Sequence, residues 1–438
     1  MQKFSLIFIV LALLFIPLYP KFPLLGIAGT FVSVRLDDFI VATLAIALAV
    51  TVFKQGFSSF RQPVSRAVLL YLFVGAVAAF SGIFLTRTAT LNLGLLHTFR
   101  RLEYFSLFFA GFTFFSSLSD LPRIIRVILL SSLLVAIYGL GQQFLGFPVI
   151  TTTNSEFAKG LALTLGQGAR INSTFAGHYD LAAFSVFPLL LILSLLPVSR
   201  HKPILIGIGL LVYWTMLLSA SRITFASLII SSSLLVILIR KKMWLIPLCV
   251  LAIAGFFASP QLRGRYLELI TSHIKISSIV PSVSAQTIPE TKDVDEVPDA
   301  LKPPAVPEDR SFNIRLNAEW PTALRAFYKN PVLGTGYSSI GLASDNDYLR
   351  SLAETGILGL SAFILIFVRF FKSSWRFIRH YQPSLSSSFI ISVSCFMVSL
   401  LLNALFIDVF EASKIAIFFW LIVGIAEKTK LLTAYDQT

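Results

Sequence analysis

Arg222, Arg315 and Asp345 are the side chains best suited to chemistry on a phosphorylated substrate. A guanidinium offers a planar fork that pairs with phosphate oxygens. A carboxylate can take a proton from a hydroxyl, which contributes about 10² to 10⁴ in rate when it is well placed. Asp345 opens the sharpest local pattern in the chain, D-N-D-Y-L-R-S-L-A-E-T-G-I-L-G, running to Gly359.

Each residue also has an ordinary structural reading. Arg222 could snorkel from a helix end, and Arg315 could lie on the solvated face of a loop helix. The run from Ser344 to Asp347 precedes an apolar helical pattern, so Ser344 or Asp345 could be an N-cap that accepts backbone N–H groups. Capping and chemistry do not exclude each other. Arg222 invites a further reason, because arginine is disfavoured in short translocated loops. Gly356 and Gly359 read as packing residues that let backbones approach. His178 and Asp180 stand at the mouth of a span, where Asp180 could cap.

The elements that must position these groups are set by lipid. The 438-residue chain is 56% hydrophobic and only 13% charged, with mean hydropathy +0.81, which is more apolar surface than a soluble core could bury. The apolar runs are about 15 to 22 residues long, the length needed to cross roughly 30 Å of hydrocarbon. Backbone groups in lipid must bond internally, so helices rather than strands are expected. Twelve spans are predicted, at 4–19, 39–53, 67–86, 103–119, 127–145, 181–197, 203–219, 223–239, 243–258, 355–371, 385–406 and 410–426. Lys3 and the apolar run after it resemble a signal peptide, but Pro17, Tyr19, Pro20 and Lys21 replace a cleavage site, so the run reads as a retained first span.

Basic residues resist translocation. The short loops holding Lys54, Arg61 and Arg66, then Arg123 and Arg126, Arg200 and Lys202, Arg240 to Lys242, and Arg369 to Arg379 are therefore assigned to the cytoplasm. Both termini then lie inside, and segments 20–38, 146–180 and 259–354 lie outside. Within the largest, residues 281–309 are rich in Pro and acid and predict disorder. Leu262, Tyr266, Leu269 and Ile270 are spaced for a short amphipathic helix before that stretch, and Trp320, Leu324 and Phe327 for another after it. Such helices suit the outer membrane surface. Arg35, Arg87, Arg100, Arg101 and Arg350 add positive charge to outer loops, where they could recruit an anionic lipid.

The net charge of +14 comes from basic residues scattered through loops, without an aromatic-interleaved tract, which argues against nucleic acid. Cys249 and Cys395 lie inside apolar runs and predict neither a disulfide nor a zinc site. His97, His201, His273 and His380 show no metal-ligand spacing, and no metal or cofactor is expected.

The stretch from Asp345 to Gly359 resembles the signature of the O-antigen ligase and polymerase superfamily, His-[Asn/Ser/Gln] followed by nine residues and G-x-x-G. Asn346, Gly356 and Gly359 fall in place, and Asp345 stands where ligases carry His. The resemblance includes N-P-V-L-G-T-G-Y from Asn330 to Tyr337, Arg315 with Trp320, and the Ser221-Arg222 pair. Arg170, Thr174, Phe175, Gly177 and His178 are similar to the family's R-x-x-x-T-F-x-x-P-N segment, without its Pro. It is strong over about 203–371 and weaker, in topology, over the whole chain.

That resemblance implies an all-α polytopic membrane protein, GT-C-like, with one large extracytoplasmic loop, in a bacterial cytoplasmic membrane. The implied divisions are N-terminal helices at 1–202, a ligase-like domain at 203–371, and C-terminal helices with a short tail at 372–438. The implied donor is an undecaprenyl diphosphate-linked glycan, and the acceptor is a hydroxyl on a glycan, lipid or protein. Arg222 and Arg315 would hold the diphosphate, and Asp345 would replace the ligase His as base. Arg170, His178, Asn346 and Arg350 would bind substrate. The His-to-Asp change favours a polymerase over a lipid-core ligase. The rival readings are a lipid-linked oligosaccharide flippase or other transporter, which should carry repeats and midplane polar groups, and an inactive scaffold.

Overall fold

A computed structural model describes residues 2–20, 23–26, 33–149, 169–267, 314–341 and 344–435. The expected disorder at 281–309 falls outside these residues. Fourteen α-helices are present among the described residues. In chain order they are α1 (Gln2–Leu18), α2 (Leu36–Gln55), α3 (Pro63–Phe80), α4 (Leu91–Phe114), α5 (Leu121–Phe144), α6 (His178–Leu195), α7 (Lys202–Leu218), α8 (Arg222–Leu238) and α9 (Leu245–Ala258). They continue as α10 (Pro260–Leu267), then α11 (Trp320–Lys329), α12 (Asp347–Arg379), α13 (Leu385–Asn403) and α14 (Ser413–Tyr435).

Every predicted span falls on a helix, but by length and apolarity six helices qualify as membrane-crossing, or seven if the bent pair α9 and α10 counts as one. Helices α1, α7 and α8 contain shorter apolar stretches. The chain is thus all-helical with several membrane-span candidates. A two-stranded antiparallel ribbon, Pro23–Gly26 with Ser33–Arg35, precedes α2 and was not expected. It lies between apolar helices, where the helix-only constraint of hydrocarbon does not apply.

Local sequence explains many helix starts. Prolines stand in the first turn of α3, α5, α7 and α11, where a missing N–H costs nothing. Helices α6, α13 and α14 form the centre, and α13 packs on both α6 and α8. Phe187, Phe396, Phe418 and Phe419 interlock there through edge and tilted ring contacts. Helix α14 packs along α4, and α12 along α3. Serines replace bulk where helices meet closely, as in the Ser194–Ser392 and Ser227–Ser399 hydroxyl pairs at 2.7 and 2.8 Å. Helix α9 is peripheral and buries only Gly255.

Helix α12 begins eight residues before the apolar run predicted at 355. It is broken at Gly356, whose φ of 66° and ψ of −170° are open essentially to glycine alone. The segment 331–336 lies against the break, with Ile357 N–H donating to Pro331 O at 2.9 Å and Thr335 N–H to Ala353 O at 2.9 Å. A Cβ at Gly356 would come within 2.3 Å of Val332 O. Gly356 therefore serves a helix break and a loop contact rather than helix-on-helix packing. The resulting first segment of α12 is polar and buried, which the apolar pattern did not show.

Candidate functional site

The site forms where the N-termini of α6, α8 and α12 meet α10 and the turn Arg315–Glu319. Segment 170–177 is fixed first. Ser173 donates from its N–H to Gln142 Oε1 at 2.7 Å and from its hydroxyl to Val135 O at 2.7 Å, and Thr174 Oγ1 donates to Pro17 O at 2.6 Å. Buried Lys414 clamps the same point, donating to Thr174 O at 2.7 Å and Pro17 O at 3.2 Å. Fixing this segment places Arg170 beside α6, with Nη1 2.7 Å from His178 Nε2. A guanidinium has no acceptor, so His178 must accept through an unprotonated Nε2.

Arg222 is the first residue of α8 and donates to Arg265 O at 2.9 Å. Helix α9 turns through 88° into α10, which brings Arg265 back over the α7–α8 turn. There Arg265 Nη1 donates to Ala220 O at 2.8 Å, its Nη2 reaches Tyr179 Oη at 3.5 Å, and Tyr266 Oη donates to Arg222 O at 2.8 Å. Tyr179 also lies within electrostatic reach of Arg315 and Arg170. Burial, then the like charges of Arg265 and Arg222, push the Arg170 guanidinium below its ordinary pKa. Arg315 is buried and pairs with Asp345 Oδ2 through Nη2 at 2.9 Å and Nε at 3.1 Å. The Asp345 side chain is 26% exposed against 7% for Arg315, so the carboxylate is the more open partner.

Asp345 adopts φ of +45°. Asp408, in the loop between α13 and α14, holds this turn. Its carboxylate accepts three consecutive backbone N–H groups, from Ser344 at 3.1 Å, Asp345 at 3.3 Å and Asn346 at 3.0 Å, and also the Ser344 hydroxyl at 2.9 Å. Arg350 Nη2 adds a fifth contact at 3.0 Å. Burial would raise the Asp408 pKa, but Arg350 and the Ser344 donors outweigh it and hold the group below its usual range. The clamp is reciprocal, since Asp347 N–H donates to Ala404 O at 3.0 Å and Phe410 N–H to Asp347 Oδ2 at 3.1 Å.

Several expected positions differ. The N-cap of α12 is Asn346, not Ser344 or Asp345; its Oδ1 accepts from Tyr348 and Leu349 N–H at 3.0 and 2.9 Å, and its Nδ2 donates to Leu405 O at 3.1 Å. Asp345 is thereby left to Arg315. Arg350 is no outer-loop charge. It is buried in the first turn of α12, between Asp408 and Glu354. Arg35 and Arg101 are buried as well, at 2% and 7% exposure. Helix α4 starts twelve residues before the predicted 103, which carries Arg101 inward to an ion pair with Glu411. Arg101, Arg350, Glu354 and Glu411 line a small cavity of about 20 Å³, room for one water.

Arg222, Arg315, Asp345, Arg170 and His178 thus surround one region, Asn346 shapes it, and Arg350 acts behind it. Arg265, Tyr179 and Asp408 went unnoticed in the sequence. The signal for Arg265 was weak, because the bias against arginine applies to short translocated loops and Arg265 lies in the long segment 259–354. Asp408 offered no such signal.

The fold and the site define a multi-pass, all-helical membrane protein with a cationic region at the helix ends. Residues 206–364 match the family model described as O-antigen ligase. No curated protein matches the chain. The match supports a glycosyltransferase-like enzyme that handles a lipid-linked glycan and an acceptor.

Proposed function

We propose that this protein transfers or polymerises an undecaprenyl diphosphate-linked oligosaccharide onto an acceptor hydroxyl at the outer face of the cytoplasmic membrane. The observation that carries this reading is the gathering of four guanidiniums, Arg170, Arg222, Arg265 and Arg315, around one region beside the open carboxylate of Asp345. Like charges held this close together favour a polyanion, and a leaving diphosphate is one. The N-termini of α6 and α8 add the positive ends of their dipoles.

In the proposed step the acceptor oxygen attacks the anomeric carbon while the bond from that carbon to the diphosphate oxygen breaks. The acceptor proton passes to Asp345. The electron pair leaves with the diphosphate, held by Arg222 and Arg265, and by Arg315 as it is shared with Asp345. Arg170 and His178 sit beside this region, where they would contact substrate. Asn346 and Arg350 support the site without reaching it, because their polar atoms are engaged by backbone and carboxylates.

The proposal includes a GT-C-like arrangement of twelve crossings, both termini inside, segment 259–354 outside, and divisions at 1–202, 203–371 and 372–438. Asp in place of the ligase His favours polymerisation. The transporter alternative draws on the break in α12 and the buried charges behind it, but these surround space for only one water. The test is glycan transfer from a purified lipid-linked donor. Asp345→Asn should abolish nearly all transfer while preserving the fold, and full transfer by this variant would overturn the mechanism.

A further inference from the structure

Helices α2 and α3 both pack on α4 and leave an open groove of about 610 Å³ between them, lined by none of the site residues described above. Helix α2 is the least buried span candidate, at 28% against 72% for α6 and α13, so the groove faces lipid. Along α2 the lining residues Asp38, Val41, Ala45 and Leu48 recur at intervals of three and four, one side of the helix. Asp38 stands in the first turn of this span candidate, at the level where hydrocarbon gives way to headgroups. The other charged lining residues, Arg100 and Glu103, lie within electrostatic reach of Asp38. Beyond this mouth the walls run about 15 Å along α2 and are apolar apart from Ser106, whose hydroxyl donates to Glu103 O at 2.7 Å. The mouth itself is acidic. Asp38 Oδ2 accepts from Arg35 N–H at 2.8 Å, while no hydrogen bond or ion pair reaches the Glu103 carboxylate among the described residues. Arg35 and Asp37, buried within the same electrostatic reach, add one charge of each sign. Among the described residues three carboxylates thus stand against two guanidiniums. A carboxylate at the edge of hydrocarbon calls for a hydrogen-bond donor that carries positive charge.

We propose that this groove binds phosphatidylethanolamine, with its ammonium between Asp38 and Glu103, its phosphate at Arg100 and an acyl chain along α2 and α4. Arg100 and Glu103 are three apart on α4, about 5–6 Å between Cβ atoms, which suits a phosphate and an ammonium joined by a short ethylene link. Phosphatidylglycerol brings only negative charge to a mouth that is already negative, so the pull of Arg100 on an anionic lipid is outweighed. Phosphatidylcholine carries the same charges as phosphatidylethanolamine but has no N–H to donate to Glu103. The bound lipid would bridge α2 to α4, the helix whose Arg101 pairs with Glu411 behind the site.

The experiment is native mass spectrometry of the delipidated full chain in detergent, titrated separately with the dioleoyl forms of phosphatidylethanolamine, phosphatidylcholine and phosphatidylglycerol, with melting temperature followed in parallel. Phosphatidylethanolamine should bind about tenfold more tightly than either of the others and raise the melting temperature, as a ligand of the folded state does. Glu103→Gln keeps the shape and removes the charge, and should lower phosphatidylethanolamine affinity about tenfold, to the level of phosphatidylcholine. Ala42→Trp fills the groove from an exposed lining position without altering charge, so it should abolish the preference, and it decides the matter should Glu103→Gln fold poorly. Equal affinity for phosphatidylethanolamine and phosphatidylcholine would remove the ammonium contacts, and tighter binding of phosphatidylglycerol would show that Arg100 governs the mouth. An unchanged preference in folded Glu103→Gln or Ala42→Trp would place the lipid elsewhere. Any one of these three results overturns the proposal.

Discussion

Replacing Asp408 with Asn tests whether the turn that carries Asp345 depends on a carboxylate outside the motif. Oδ2 accepts from Ser344 and Asp345 N–H and from Arg350, while Oδ1 accepts from Asn346 N–H and the Ser344 hydroxyl. An amide can keep one set on its oxygen, and its NH₂ then faces the donors of the other. At least two bonds are lost, and Arg350 loses its anionic partner at 3.0 Å while keeping Glu354 at 3.4 Å. Lost hydrogen bonds to a charged group are worth about 1.5–3 kcal/mol each, and breaking a buried pair about 3–5 kcal/mol, so the local cost should be roughly 3–5 kcal/mol. Asp345 would then leave its φ of +45°. A displacement near 1 Å can cost about 10² in rate. The expected result is kcat for glycan transfer down about 10²-fold with donor KM nearly unchanged, because Arg222 and Arg265 are anchored elsewhere. Asp408→Glu should restore part of the rate. Wild-type kcat in Asp408→Asn, or kcat and KM changing together in proportion to lost thermal stability, would refute a positioning role.

The depressed pKa of Asp408 makes a linked prediction. Its stabilisation is present above the unfolded carboxylate value, near 4, and is lost as pH falls through the lower folded value. Melting in detergent between pH 7 and 3 should therefore show an acid-dependent drop for wild type that is smaller in Asp408→Asn. Asp345→His, which restores the ligase-type residue, should retain partial transfer; activity no better than that of Asp345→Asn would argue against a base at this position. Arg265→Lys should weaken the donor step about as much as Arg222→Lys, by about 1.5–3 kcal/mol in transition-state terms, because each loses a guanidinium fork. Unchanged kcat/KM for the Arg265 variant would remove it from the site. Gly356→Ala should lower the melting temperature by several degrees, since strain at such a φ costs about 1–3 kcal/mol before the approach to Val332 O is counted. A cysteine at exposed Lys329 should react with an impermeant thiol reagent added to intact cells, while one at exposed Lys372 should not. The opposite pattern would invert the proposed topology.

Much of this architecture was legible in one dimension. Apolar runs fix helices in lipid because the backbone has no other partner there, and each predicted run is a helix. The Asp345–Gly359 pattern, Arg315 and Arg222 carried a family resemblance that the match over 206–364 bears out. Gly356 stands where the chain must enter a conformation closed to other residues. What the sequence could not reveal is which charges meet. Arg265 joins Arg222 only because α10 folds back through 88°. Asp408 reaches Ser344, Asp345, Asn346 and Arg350 across 64, 63, 62 and 58 residues. Arg350 and Arg101 read as surface charge by composition, and only their partners Asp408, Glu354 and Glu411 permit their burial. Periodicity and solvent preference act between neighbours in sequence, so they can be read from sequence. Neutralisation of a buried charge depends on distance in space, and the packing of α12 against the α13–α14 loop decided it.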